Sequence, residues 1–146
     1  MASSCWRILL DGKGEKGTEA EGTEEKILKT YRDLLVWQKS MRMVTEVYTM
    51  TRKLPVEELY GLTSQIRRSA ISIPSNIAEG YGRRSTQDYI RFLRMANGSL
   101  FEMQTQIEIS LNLQYINQKT FEDVYDSSRE IERMLSSLIS KVEKSK

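Results

Sequence analysis

Residues 61–85 constrain the fold of this chain more than any other stretch. Apolar side chains recur there at steps of three and four residues, which is the spacing of one helix face, and Pro74 lies within the pattern. Gly80 and Gly82 predict a helix end, because glycine readily takes the left-handed backbone used at helix C-termini. Ser85 then resembles the N-cap of a next helix, since an acidic residue follows three positions later. The stretch predicts a helical hairpin against which the rest of the chain packs.

Hydrophobic periodicity extends this hairpin to four amphipathic helices. The predicted core stripe of the first helix is Leu34, Trp37, Met41, Val44, Tyr48 and Thr51, widened by Val47 and Leu54, and that of the second is Leu59, Leu62, Ile66, Ala70, Ile73, Ile77 and Tyr81. The stripe of the third helix is Tyr89, Phe92, Leu93, Ala96, Leu100, Met103, Ile107 and Leu111. The stripe of the fourth is Phe121, Val124, Tyr125, Ser128, Ile131, Leu135, Leu138 and Val142. The first helix is expected to stop before Pro55, because proline disfavours helical backbone at the preceding residue. The fourth is expected to begin near Asn117 or Thr120. Four long helices with short connections predict an all-α, antiparallel up-down-up-down bundle.

Several residues inside these helices carry further expectations. Pro74 is expected to kink the second helix, since an internal proline costs about 3 kcal/mol in an ordinary helix. A stripe of small residues on that helix either admits a close neighbouring helix or forms a solvated side; it consists of Ser69, Ser72, Ser75 and Ala78. Gly98 lies inside the third helix and is expected to mark close packing rather than a helix end. Gly80→Val is expected to damage folding or assembly.

The composition excludes several classes of function. The chain has 146 residues, the size of one domain, and it contains no histidine. Ser-His and Cys-His nucleophiles are therefore excluded, and the commonest zinc ligand is absent. Cys5 is the single cysteine, and no apolar stretch approaches the roughly 20 residues that a spanning helix needs. We expect a cytoplasmic protein without catalytic residues, metal or cofactor.

The first 30 residues differ from the rest of the chain. They interleave glycine with polar and charged residues and show no apolar periodicity until their end. This composition is typical of disordered segments. The predicted organisation is a disordered extension over residues 1–30 and a four-helix domain over residues 31–146.

Arginines of the central hairpin are the candidate binding residues. They are Arg67, Arg68, Arg83, Arg84, Arg91 and Arg94. On an antiparallel hairpin they would span about 20 Å at 1.5 Å per residue, enough to reach several phosphates in a sequence-independent way. The alternative is that they form ion pairs with Glu57, Glu58, Glu79, Glu102 or Glu108. Four tyrosines could stack on bases, but three of them fall on core stripes; they are Tyr48, Tyr60, Tyr81 and Tyr89.

Four blocks of this chain resemble a known family. They are residues 33–39 (DLLVWQK), 58–68 (ELYGLTSQIRR), 72–83 (SIPSNIAEGYGR) and 98–102 (GSLFE). In this order they resemble the 23S rRNA intervening-sequence proteins, whose relatives include the accessory variability proteins of diversity-generating retroelements. The resemblance covers Tyr31 to about Glu143. It implies a bacterial, cytoplasmic four-helix bundle that assembles as a ring-like homopentamer, with nucleic-acid binding as the usual suggestion and a reverse transcriptase among candidate protein partners.

Two functions follow from these observations. The first is a non-enzymatic homo-oligomer that binds nucleic acid, RNA in first place, through the arginine-rich hairpin. The alternative is an oligomeric protein–protein adaptor without direct nucleic-acid contact. Binding of RNA that weakens with salt distinguishes them, because phosphate contacts release counterions.

Overall fold

Four long helices build the computed structural model, which describes residues 28–145. They are α1 (Leu35–Thr51), α2 (Leu62–Tyr81), α3 (Thr86–Asn112) and α4 (Gln118–Lys144), with single 3-10 turns at Tyr31–Asp33 and Val56–Glu58. α1 packs on α2 and α4, and α3 packs on the same two helices. The predicted all-α four-helix bundle is thereby confirmed. The predicted extension falls mainly on residues 1–27, which lie outside the described residues; of the remainder, Leu28 is buried in the core.

The face that α1 buries matches the predicted one only in part: Val47 and Thr51 are buried as predicted, but other buried positions were not predicted. Its buried side chains are Val36, Ser40, Met43, Val47, Met50 and Thr51. Met41, predicted to lie in the core, is 44% exposed. Because apolar residues occur in adjacent pairs along α1, a stripe shifted by one residue fits the pattern equally well. Ser40 can lie inward because its hydroxyl donates to the Val36 carbonyl at 2.6 Å.

The connection from α1 to α2 also corrects the prediction. α1 ends at Thr51 rather than at Leu54, and two turn hydrogen bonds close the intervening residues. Leu59 was predicted to lie on the α2 core stripe, but it precedes the helix and is 44% exposed. The carboxylate of Glu58 accepts the Leu62 backbone N–H at 3.0 Å, and this bond satisfies one free donor at the α2 N-terminus.

α2 and α3 contact each other through small side chains. The hydroxyl of Ser69 donates to the Gln106 side chain at 2.8 Å, and the hydroxyls of Ser72 and Ser99 are 2.8 Å apart. The predicted close approach of a neighbouring helix is confirmed at these two serines of α2, whereas Ser75 faces solvent.

Helix α2 ends between the two glycines, as predicted, but without the predicted left-handed backbone. It runs without interruption through Pro74 and Gly80, both buried, to Tyr81. Gly82 caps the helix with φ −78°, which is ordinary right-handed backbone. The left-handed helix end predicted for these glycines is wrong. A β-carbon on Gly80 would lie 2.6 Å from the Phe92 β-carbon, so a close approach by α3 explains this glycine.

The predicted core of α3 and α4 is confirmed at most positions. The buried centre includes Leu93, Leu100, Ile107, Ile131 and Leu135. The predicted helix starts are also confirmed: the hydroxyl of Ser85 accepts the Asp88 N–H at 3.1 Å, and the Asn117 side chain accepts the Thr120 N–H at 2.8 Å.

Gly98 does not mark packing within the chain. Apart from its chain neighbours and the backbone of its own helix, no atom of the described chain lies within 4 Å of the position its β-carbon would occupy. The helix does not end at Gly98, as predicted, and the close packing predicted there is not made by another helix of the described chain.

Tyr81 and Tyr89 belong to the core, as their stripes predict. Their rings meet edge to face with centroids 6.3 Å apart, and the Tyr81 hydroxyl donates to the Leu28 carbonyl at 3.5 Å. Burial, followed by the charge of Tyr81, raises the pKa of Tyr89. These two tyrosines therefore serve packing and are not accessible to a ligand.

Candidate nucleic-acid interface

The six arginines of the α2–α3 hairpin do not form one continuous strip. Arg67 and Arg68 line a groove beside α1, while Arg91 and Arg94 line a second groove beside the C-terminal end of α4. Arg83 and Arg84 lie in the connection between α2 and α3. The arrangement is two grooves with a basic turn.

Arg67 is held on the side of α2 that faces α1. Its Nε donates to the Thr51 hydroxyl at 2.9 Å, and its guanidinium carbon lies 4.5 Å from the centre of the Tyr48 ring. A cation over a tyrosine face is attracted by the ring quadrupole. These two contacts fix the plane of the guanidinium.

Arg68, the next residue of α2, lines the same groove and reaches towards α3. One of its terminal nitrogens donates to the Gln65 side chain at 2.9 Å and to a Glu102 oxygen at 3.2 Å. Both partners of the Arg68–Glu102 pair are exposed. Exposed pairs of this kind contribute about 0–1 kcal/mol and are screened by salt, so a phosphate can displace Glu102.

The groove beside α1 has a volume of about 600 Å³. Besides the two arginines, it is lined by Tyr48, Leu59, Tyr60, Thr63, Ser64 and Ile71. Tyr60 precedes α2 and is 93% exposed. This groove combines guanidinium groups, an accessible aromatic ring and an apolar wall.

The connecting turn holds one paired and one unpaired arginine. Arg83 donates to Glu79 at 2.8 Å and covers the Phe92 ring at 4.6 Å. Arg84 is exposed and has no acidic partner within residues 28–145. Its guanidinium is therefore open to an anion without the loss of an existing pair.

The second groove, of about 590 Å³, lies between α3 and α4. Arg94 pairs with Glu143 at 2.8 Å, and Arg91 pairs with Asp88 at 3.5 Å. Gln87, Ile90 and Met95 complete the lining. Both ion pairs are exposed, so they too are weak and sensitive to salt.

Sequence reasoning anticipated part of this pairing. Ion pairs with Glu79 and Glu102 were among the predicted alternatives and are present. The three other predicted acids, Glu57, Glu58 and Glu108, pair with no arginine in the described part of the chain, and two partners, Asp88 and Glu143, were not predicted. The Asp88 partner could have been found from its spacing of three residues from Arg91. Glu143 meets Arg94 only because α4 packs beside α3, so spacing along the chain does not predict this pair.

Comparison with known proteins places the chain in a family. A family model described as 23S rRNA-intervening sequence protein matches residues 32–137. The chain belongs to this family. The predicted resemblance is thus confirmed, while the relation to retroelement accessory proteins stays a prediction.

This member of the 23S rRNA-intervening sequence protein family is also similar to a solved structure. That structure is a protein with unknown function from the S23 ribosomal protein family of Bacteroides thetaiotaomicron. It is 29% identical, with a TM-score of 0.67, over 72% of this chain and 98% of the other. No curated protein matches the chain.

Two further observations bound the chemistry of this family member. Residues 28–145 contain no group of three or more histidine, cysteine, aspartate or glutamate side chains that could hold a metal ion. Within the same residues, no helix is both long and apolar enough to cross a membrane.

Proposed function

We infer that this protein is a non-enzymatic nucleic-acid-binding protein, with RNA as the favoured ligand, and that the arginines of the α2–α3 hairpin contact phosphates. The observation that carries this proposal is the concentration of six arginines on one hairpin, in two open grooves and the turn between them. The family description, which refers to 23S rRNA, supports RNA over DNA.

Ion pairing on the free protein does not oppose phosphate binding. The pairs of Arg68, Arg91 and Arg94 are exposed, so each contributes little in water. A phosphate offers a guanidinium two parallel charge-assisted hydrogen bonds and releases counterions when it binds. The exchange of an exposed carboxylate for a phosphate is therefore favourable at low salt.

The proposal includes self-association, and the exposed face of α3 supports it. Three large apolar side chains are exposed on that helix, namely Met95, Phe101 and Ile109, and Leu113 is exposed directly after its end. The same face includes Gly98, and no other helix of the described chain occupies the space in front of this glycine. A glycine within a helix costs about 1 kcal/mol relative to alanine, and a close neighbour from another copy would account for it. The resemblance stated above favours a pentamer.

Fluorescence anisotropy with a labelled, structured RNA tests the proposal as salt is raised from about 50 to 200 mM. The test variant replaces exposed hairpin arginines: Arg68→Ala, Arg84→Ala, Arg91→Ala and Arg94→Ala. The matched control removes the same charge from α1, its following turn and α4: Arg42→Ala, Arg52→Ala, Arg129→Ala and Arg133→Ala. Each phosphate contact contributes about 0.7–0.9 to the slope of log affinity against log salt, so the test variant should have a shallower slope than the control.

Equal losses in the test variant and the control would contradict the assigned surface. Weak, salt-insensitive binding by the unaltered protein would contradict nucleic-acid binding itself. The second candidate function, an oligomeric adaptor for a protein partner, would then account better for the exposed apolar side chains of α3.

A further inference from the structure

We propose that the groove between α1 and α2 binds an unpaired nucleotide in a single-stranded RNA segment. In this arrangement the base stacks on Tyr60, and the adjoining phosphate is held by Arg67 and Arg68. The inference rests on the proposed nucleic-acid binding and specifies which form of RNA this groove accepts.

The exposure of Tyr60 is the first observation behind this proposal. This residue is 93% exposed and lies outside the buried core, in the short turn that enters α2. By contrast, Tyr81 and Tyr89 are buried in that core. Fully burying an aromatic side chain contributes roughly 1.5–3 kcal/mol, and the monomer gains none of this at Tyr60. The ring is available to stack on a base, whichever base it is.

Pre-organisation of Arg67 is the second observation. Its Nε bond to Thr51 and its position over Tyr48 fix the guanidinium, while Nη1 and Nη2 have no hydrogen-bond partner in the described chain. A fixed planar fork with free terminal nitrogens suits two oxygens of one phosphate and loses little rotamer freedom on binding. Arg67 therefore has one part of its guanidinium committed to the fold and another free for a ligand.

Electrostatics within the groove also favour an anion. Arg67 and Arg68 both line it, and no carboxylate does. Glu58, two residues before Tyr60, is engaged elsewhere: its oxygens accept the Leu62 N–H and the Tyr115 hydroxyl. The groove is open and has an apolar wall that includes Ile71, so a base can enter beside the phosphate.

This combination selects single strands over duplexes. A base within a duplex has both faces covered by its stacked neighbours, so its ring cannot reach Tyr60. Sequence-tolerant recognition of single strands uses aromatic platforms beside a basic groove, the arrangement found here.

Oligonucleotides that contain 2-aminopurine test the proposal, because the fluorescence of this base is quenched when it stacks. Two RNAs of equal length are compared, one a single strand and the other a closed hairpin with the label in its duplex. The full chain should quench the single strand and bind it more tightly. Tyr60→Ala should abolish the quenching and lower single-strand affinity by roughly 5- to 100-fold, whereas Tyr60→Phe, which keeps the ring, should retain both.

Val56→Ala is the matched control, since Val56 is an exposed apolar residue in the same connection. It should leave quenching and affinity unchanged, and helicity by circular dichroism should be equal in all variants. Arg67→Lys keeps the charge but removes the planar fork. It should weaken binding of both RNAs, and by less than Tyr60→Ala weakens binding of the single strand.

The outcomes separate this inference from the proposed function. If the protein binds RNA with strong salt dependence but Tyr60→Ala binds and quenches like the unaltered chain, base stacking in this groove is overturned while phosphate binding stands. Equal losses in Tyr60→Ala and Val56→Ala would also overturn it, because an aromatic ring would then not be required. An absence of salt-sensitive RNA binding by the unaltered chain overturns both.

Discussion

Gly80 is required by packing and not by backbone conformation. It lies inside α2, and the place of a β-carbon is occupied by Phe92 at 2.6 Å and by the Tyr89 ring and carbonyl at 3.3 Å. Any larger residue must displace α3 or its buried aromatic side chains. Gly82, two residues later, would bring a β-carbon no closer than 3.6 Å to a neighbouring carbonyl, which is ordinary contact.

Gly80→Val is therefore expected to destabilise the protein by at least the roughly 1–3 kcal/mol typical of overpacking. Urea denaturation followed by circular dichroism measures the change, and Gly82→Ala serves as the control with an unaltered or slightly raised midpoint. An unchanged midpoint in Gly80→Val, together with unchanged helicity and oligomer mass, would contradict this account.

Sequence spacing predicts residue contacts that are local and misses those that depend on closure of the bundle. Arg83 and Glu79 are four residues apart on one helix surface, so their pairing could be predicted. Arg94 and Glu143 come together because α4 packs beside α3, and no local pattern encodes that contact. The candidate arginines could thus be named from the sequence, whereas their division between two grooves could not.

Helices α3 and α4 begin at side-chain caps, of which the sequence predicted the one at Ser85. Ser85 and Asn117 each accept the backbone N–H three residues later, which satisfies a donor that has no partner within the helix. These caps fix the ends of the two connections and hence the register of the neighbouring helices.

Ser85→Ala and Asn117→Ala are each expected to lower the free energy of unfolding by about 1 kcal/mol. Since the two caps belong to different helices and share no partner, the double variant should lose about the sum. Chemical denaturation measures the three values, with Ser137→Ala, an exposed position inside α4, as a control expected to change little. A loss in the control equal to that of either cap variant would show that the effect does not arise from capping.

The predictability of an element depends on how clearly one face is apolar. α3 and α4 each present a single distinct stripe, and their buried residues matched the prediction at nearly every position. α1 instead has apolar residues on two adjacent stripes, and the helix buries the one with Met43 and leaves Met41 exposed. Choosing between them requires knowledge of where α2 and α4 pack.

At the scale of the whole molecule, the bundle buries one core and leaves apolar side chains along α3. Phe101 and Ile109 are exposed on the helix that also holds Gly98 and the second arginine groove. Exposed apolar side chains that share one surface commonly mark an interaction site. Self-association through this face would bring the arginines of several chains into one particle and multiply their phosphate contacts.

Charge placed on this face should therefore weaken assembly without weakening the fold. Phe101→Glu combined with Ile109→Glu is expected to reduce the particle mass measured by sedimentation to that of fewer chains, because both carboxylates would be desolvated at an interface. Leu35→Glu introduces the same kind of charge at an exposed leucine on α1 and should leave the mass unchanged.

Thermal unfolding followed by circular dichroism, at one protein concentration, separates loss of assembly from loss of folding. Before the unfolding transition, both variants should have the same helicity as the unaltered chain. If the double α3 variant keeps the parent mass, this face is not the interface. If the unaltered chain already sediments as a monomer, self-association itself is contradicted. A smaller particle with intact helices would instead explain why α3 tolerates a glycine and large exposed apolar residues. The RNA affinity of that particle should depend less steeply on salt, because fewer arginines then act together.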